Sequence, residues 1–238
     1  VAQWDALDLE QAIAAERGCG AMVRTETEWL QHPQGSNLAL KPVIEIEKIA
    51  DSDPEPIVEG AALRPLESMR VLDLTRILAG PTCARTLAEH GADVLMVTAQ
   101  NLPQTEYFVI DTSHGKRTTF LDLNNAEQKS TLLGLVKNAD VFSQGYRPGV
   151  MAKHGLSPDI LAELRPGLIY TSMNCYGYEG PFADRAGWEQ LAQTVTGLAA
   201  EQGGVRPRLL PAAVCDYATG YLAAYGTLLA MGMRARDG

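Results

Sequence analysis

At 238 residues and 46% apolar content the chain is long enough to bury a substantial core. A net charge of −9 excludes a surface built to coat nucleic acid, so an anionic ligand has to be met by local Arg and Lys side chains. No apolar run reaches a spanning length, no signal-peptide pattern opens the chain, and neither a membrane nor a nucleic acid is expected as partner. Cys19, Cys83, Cys175 and Cys215 lack C-x-x-C spacing and a nearby His. They read as buried free thiols of a reducing, cytoplasmic protein, with no metal.

In chain order, residues 8–16 read as a short helix, 21–25 as a strand, 26–31 as a helical turn and 43–49 as a strand-like run, which together make a small α+β segment. Asp51-Ser52-Asp53-Pro54-Glu55-Pro56 sustains neither helix nor sheet and predicts a boundary between residues 50 and 66. From Met69 the pattern changes. Strands are expected near 70–75, 93–98, 118–123, 140–144 and 168–173, with helices near 82–91, 126–138 and 157–165. Strands spaced by helices of this length predict an α/β fold, an open parallel Rossmann-like sheet flanked by helices, with a ligand crevice beyond the strand ends. Residues 187–201 and 216–234 read as two longer helices covering that sheet. The second carries Gly220, Gly226 and three tyrosines and is expected to be buried.

The stretch from Met69 to Leu123 carries the ligand expectation. After the strand Arg70-Val71-Leu72-Asp73-Leu74, the turn Thr75 to Pro81 opens a helix whose first turn is set by Pro81. Backbone N–H groups there, beside Arg76, suit an anion.

Several segments in fixed order resemble the class III CoA-transferase family, which holds formyl-CoA transferase, carnitine CoA-transferase (the CaiB/BaiF type) and the α-methylacyl-CoA racemases. They are Val71-Leu72-Asp73-Leu74-Thr75 with Ala79-Gly80-Pro81, Gly91-Ala92-Asp93-Val94, Gly115-Lys116-Arg117 with Leu121-Asp122-Leu123, Ala139-Asp140-Val141 with Arg147-Pro148-Gly149, Tyr176-Gly177 with Gly180-Pro181, and Asp216 with Gly220. The first 65 residues, with Trp4, Val23-Arg24-Thr25, Glu28-Trp29 and His32-Pro33, resemble the small domain and tail that close a family copy. The resemblance therefore implies a tandem or fused polypeptide. Residues 1–50 would end one copy, 51–66 would link, and 67–238 would form the CoA-binding domain of the next, incomplete at its C-terminus, with the family's closing glycine-rich loop downstream.

The resemblance implies transfer of coenzyme A between an acyl-CoA and a carboxylic acid through an enzyme carboxylate, with no metal, in a homodimer or beside a sister domain. A side-chain carboxylate is a weak nucleophile that works only when positioned and desolvated. The family's nucleophilic Asp is expected three residues before Pro207, where this sequence has Gly204. Glu201 is the nearest carboxylate and the catalytic candidate, although misplacement by about 1 Å costs roughly a hundredfold in rate. Arg76, Ile77, Leu78 and Ala79 fall where the family's first turn meets CoA. Lys116 matches a lysine at the nucleotide end, Lys153 a basic residue on the CoA phosphates, and Tyr146 and Tyr176 are pocket candidates. Thr98-Ala99-Gln100 stands where the family has Glu and a basic residue. Gly204 and Thr98 leave open a non-catalytic copy serving as scaffold or dimerisation half. An acyl-CoA racemase or dehydratase is the third reading, disfavoured because Trp188, before Glu189, replaces a histidine acid or base.

Overall fold

A computed structural model describes residues 1–57 and 63–238; positions 58–62 of the expected linker lie outside the described residues. The helices are α1 (Ala6–Ala15), α2 (Glu26–Gln31), α3 (Pro33–Ala39), α4 (Ala79–Glu89), α5 (Glu106–Thr112), α6 (Ala126–Val136), α7 (Val150–Lys153), α8 (Pro158–Leu164), α9 (Glu189–Val195), α10 (Leu198–Gly203) and α11 (Val214–Asp237). The strands are β1 (Arg70–Asp73), β2 (Asp93–Thr98), β3 (Lys116–Phe120), β4 (Val141–Gln144) and β5 (Ile169–Ser172). They fall into two compact units, one of residues 1–43 with 174–216, the other of residues 44–173 with 217–238.

The larger unit is built on a five-stranded sheet in the order β3-β2-β1-β4-β5, with every pairing parallel. This is the α/β architecture expected from the alternation of strands and helices. Strand alternation feeds two cores. Val71, Val94 and Val141 meet Cys83, Ala84 and Leu87 of α4 and Ala224 and Met231 of α11 on one face. Leu72, Val97 and Phe142 meet Leu132 and Val136 of α6 and Leu161 of α8 on the other. With both faces covered, β1 and β4 are buried almost throughout, as parallel strands must be. Gly220 is required by packing: a Cβ there would lie 2.7 Å from Thr82 Cβ, so α11 passes α4 at backbone distance. Beside the connector, Glu55 accepts from Arg165 Nη2 at 2.9 Å while Arg234 Nη1 reaches Asp140 Oδ1 at 3.1 Å, tying residues 51–57 to the sheet's N-terminal rim.

In the smaller unit Trp29, Tyr176, Phe182 and Val195 form the apolar centre. Gln34 is fully buried and donates through Nε2 to the carbonyls of Tyr176 and Glu179 while its Oε1 accepts from the Phe182 N–H. Glu10, 2% exposed, accepts from Arg24 at 2.7 Å and from Arg185 at 2.6 Å. Burial pushes the Glu10 carboxyl up, but those guanidinium groups and the Met22 N–H outweigh it and hold it below the usual carboxylate range.

Several local expectations are corrected. Residues 21–25 and 43–49 form no strand; both runs lie outside the sheet, where no neighbour supplies a ladder. The helix expected from Thr82 begins at Ala79, and Pro81 fits inside its first turn because a proline there forfeits no intrahelical bond. The single helix expected over 187–201 is two short ones, α9 and α10, broken at Gly197, whose φ of +99° turns the chain. They belong to the smaller unit and not to the sheet. Helices α3, α5 and α7 are short and weakly patterned and were not expected. Of the four free thiols Cys83 is buried, whereas Cys19 is exposed.

Replacing Arg24 with Met strips Glu10 of its bidentate partner in a dry setting. We expect a loss of about 3 kcal/mol in urea unfolding at neutral pH. A loss below roughly 1 kcal/mol, the range of a surface pair, would refute a structural role.

Candidate active site

The C-terminal ends of the parallel strands carry an open cleft walled by Leu74, Val97 and Leu121, with Thr98, Asp122, Tyr146 and His154 among its polar contributors. A crevice in this position follows from the topology, because β1 and β4 send their connections to opposite sides. Asp73, the last residue of β1, is wholly buried. Its Oδ1 accepts from the Thr75 N–H at 3.0 Å and from the Thr75 hydroxyl, and its Oδ2 accepts from Lys116 Nζ at 2.8 Å. Between this cluster and α4, Ile77 sits at φ +72°, a left-handed conformation that a β-branched residue adopts only under constraint. No side chain caps the N-terminus of α4, so its first backbone donors remain available.

The expected site residues divide accordingly. Arg76, Ile77, Leu78 and Ala79 make the β1–α4 turn: Arg76 donates to the Pro103 carbonyl and keeps a buried, unpartnered Nε, whereas Leu78 turns into the core. Tyr146 lines the cleft, its hydroxyl pushed up by burial against the opposing pull of Arg76. Lys153 ends α7 with an exposed side chain, next to the cleft residue His154. Lys116 is turned inward, its ammonium fully buried on Asp73 and on the Pro81 carbonyl at 2.9 Å. Tyr176 lies in the other unit, 4% exposed, packed edge-on against Phe182.

Glu201 is an exposed residue of α10 in the smaller unit, and Gly204 follows with φ +57° and ψ −119°. That backbone region favours glycine strongly, so an aspartate placed at position 204 would be strained in this conformation.

The same unit holds a carboxylate that spacing alone did not single out. Glu189 opens α9 and is 5% exposed. Its Oε2 accepts from the Asp216 N–H at 2.6 Å, and its Oε1 from the Cys215 N–H at 3.2 Å and from Gln193 Nε2. These backbone donors belong to the first turn of the 24-residue helix α11, whose dipole also favours an anion there. The Asp216 carboxyl next to it is pushed up to about 6, by burial and then by the charge of Glu189. Burial and the neighbouring carboxylates push the Cys215 thiol up to about 12, and burial does the same for Cys175, so neither thiol competes as a nucleophile. In the sequence Glu189 stands out only through the resemblance, where racemases carry a histidine–aspartate pair, and otherwise reads as an ordinary first-turn acid.

A family model described as CoA-transferase family III matches residues 66–238. An acetyl-coenzyme A transferase of Hypoxylon pulicicidum, nodX, is 31% identical over 254 residues, covering 100% of this chain and 43% of its own. The beta subunit of the succinyl-CoA–L-malate CoA-transferase of Chloroflexus aurantiacus is 33% identical over 73% of this chain and 47% of its own. Among solved structures, a Mycobacterium tuberculosis protein, Rv3272, matches at 32% identity with a TM-score of 0.68, covering 74% of this chain and 52% of that one. A CaiB/BaiF family protein from Brucella suis matches at 30% identity with a TM-score of 0.64, over 73% of this chain and 50% of that one. The chain spans about half the length of the relatives it matches.

The raised Asp216 carboxyl gives a pH signature. Its folded value lies above the unfolded one, so between about pH 4 and pH 6 the native state keeps a proton that the unfolded chain has released, and stability falls as pH rises. Asp216→Asn removes that contribution. In urea unfolding across pH, the variant is expected to match the parent near pH 4 and to exceed it by about 1–2 kcal/mol near pH 8. Parallel profiles would show that Asp216 does not carry the shift.

Proposed function

Because the chain belongs to the CoA-transferase family III, we propose that it is the CoA-binding domain of an enzyme that moves coenzyme A between an acyl-CoA and a carboxylic acid. The β1–α4 turn and the strand-end cleft of the larger unit are the proposed nucleotide-binding region. Arg76 and the uncapped α4 donors are proposed to meet the phosphates, with Tyr146 lining the cleft and Lys153 adjoining its His154. We propose Glu189 as the carboxylate that carries the chemistry.

The observation behind this choice is the desolvated, triply held state of Glu189. A carboxylate at 5% exposure with fixed donors is positioned in the way that Glu201, exposed on α10, is not. A Glu189 oxygen attacks the thioester carbonyl, the C–S bond breaks, and CoA leaves as thiolate with a mixed anhydride behind it. The thiolate then attacks the Glu189 carbonyl, breaks the anhydride C–O bond and releases the first acid as carboxylate. The resulting glutamyl-CoA thioester is attacked by the second acid, and the same steps in reverse free the new acyl-CoA and restore Glu189. When the thiolate adds to the Glu189 carbonyl, negative charge develops on a Glu189 oxygen, to which the N–H of Cys215 or Asp216 donates.

The full-chain match to the nodX acetyl-coenzyme A transferase supports reading residues 1–50 as the end of a preceding copy and 51–66 as a linker. We further propose a cytoplasmic protein that works as a homodimer or beside a sister domain, consistent with free thiols and with the absence, among the described residues, of a helix long and apolar enough to cross a membrane.

Calorimetric titration with CoA, followed by hydroxylamine trapping and mass spectrometry after incubation with acyl-CoA, tests the reading. Trapping is expected on Glu189, to vanish in Glu189→Gln and to persist in Glu201→Gln. Loss of trapping in Glu201→Gln alone would move the chemistry to α10. CoA binding with no adduct in the parent would favour the scaffold copy that Gly204 suggests.

A further inference from the structure

We propose that the buried Asp73–Lys116 ion pair is a positioning pair for ligand binding: it holds the β1–α4 turn in its strained shape, and Lys116 acts on the ligand through Asp73 and Pro81 rather than by direct contact. This rests on the reading of that turn as part of the CoA site.

The geometry is that of a strut. Lys116 starts β3, two strands from β1, and its side chain crosses β2 to end at 0% exposure against two partners. One, Asp73 Oδ2 at 2.8 Å, lies at the end of β1; the other, the Pro81 carbonyl at 2.9 Å, lies in the first turn of α4. One ammonium thus fixes both ends of the turn. Asp73 uses its second oxygen to hold the N–H and hydroxyl of Thr75, and Gly80 packs so closely on the Thr75 side chain that a Cβ would overlap it. Only Arg76, Ile77 and Leu78 are left to span the gap, with Leu78 sunk in the core at 2% exposure. Ile77 absorbs the mismatch at φ +72°. A β-branched residue stays in that region only while its surroundings over-determine it, so releasing the strut lets the turn relax and scatters Arg76 and the α4 donors.

The pair and a direct phosphate contact by Lys116 make opposite predictions for one substitution. Asp73→Asn frees the ammonium while removing the strut. Under the positioning role, Asp73→Asn and Lys116→Met each weaken CoA binding roughly tenfold or more in calorimetry. Hydrogen exchange of the Arg76 to Gly80 amides rises in both. The double variant Asp73→Asn with Lys116→Met leaves no unpaired buried charge and is expected to regain thermal stability, yet to keep the weak binding and fast exchange. CoA binding that is unchanged or tighter in Asp73→Asn would overturn the proposal in favour of direct contact, and parent-like binding in the double variant would overturn both readings. If the parent itself binds no CoA, the functional reading fails separately. Exchange at the turn then decides the positioning role: protection equal to the parent in all three variants would overturn it.

Discussion

A carboxylate at the buried end of the central strand is the constraint around which the larger unit is arranged. Asp73 sits where β1 has neighbours on both sides and helices on both faces, so its charge has no water to turn to. An unpaired carboxylate there would cost several kcal/mol, roughly as much as a small domain's whole margin of stability. Lys116 answers it from β3, and answering it fixes the strand end, the turn and the start of α4 together. The strain at Ile77 is then held in place, because contacts at Thr75 and at the start of α4 fix both ends of a three-residue span.

Charge compensation also separates the buried acids of the smaller unit. Glu10 is met by two guanidinium groups and held below the usual carboxylate range, the pattern of a group that holds structure. Glu189 accepts from neutral donors, and the Asp216 carboxyl beside it is driven up to about 6 by burial and then by the Glu189 charge. Two carboxylates brought together without a cation are expensive. A site that must hold a reactive anion in a dry place gives that expense a use, because a cation beside it would quench the nucleophile. The helix dipole and backbone N–H groups orient the anion while leaving it less neutralised than an ion pair would.

The fold was legible in the sequence where burial is two-sided and the helices are long. The runs at 70–74, 93–98 and 140–144 are apolar enough to be read as parallel strands, and the helix around Leu132 is long enough to show its period. Short elements were not legible: α5 and α7 have seven and four residues, too few for a period to emerge. The strands expected at 21–25 and 43–49 had the composition but not the neighbours, and a strand without a partner is only extended chain.

The site was legible in part, and the reason lies in what residue type and spacing leave open. Gly115-Lys116-Arg117 offers two adjacent cations, and a phosphate-binding motif is a fair reading of either. Pleating decides between them, since adjacent residues of a strand point to opposite faces. Arg117 emerges to an exposed pair with Asp93 at 2.6 Å, while Lys116 enters the interior, where Asp73 waits two strands away. Glu189 follows the same logic in reverse. Its own neighbours in sequence suggest an ordinary acidic first turn, and the donors that make it unusual arrive from Cys215 and Asp216, more than 20 residues on. In both cases the side chain is ordinary and the partner is distant in the chain, so the chemistry of the residue is settled by the topology that brings the partner to it.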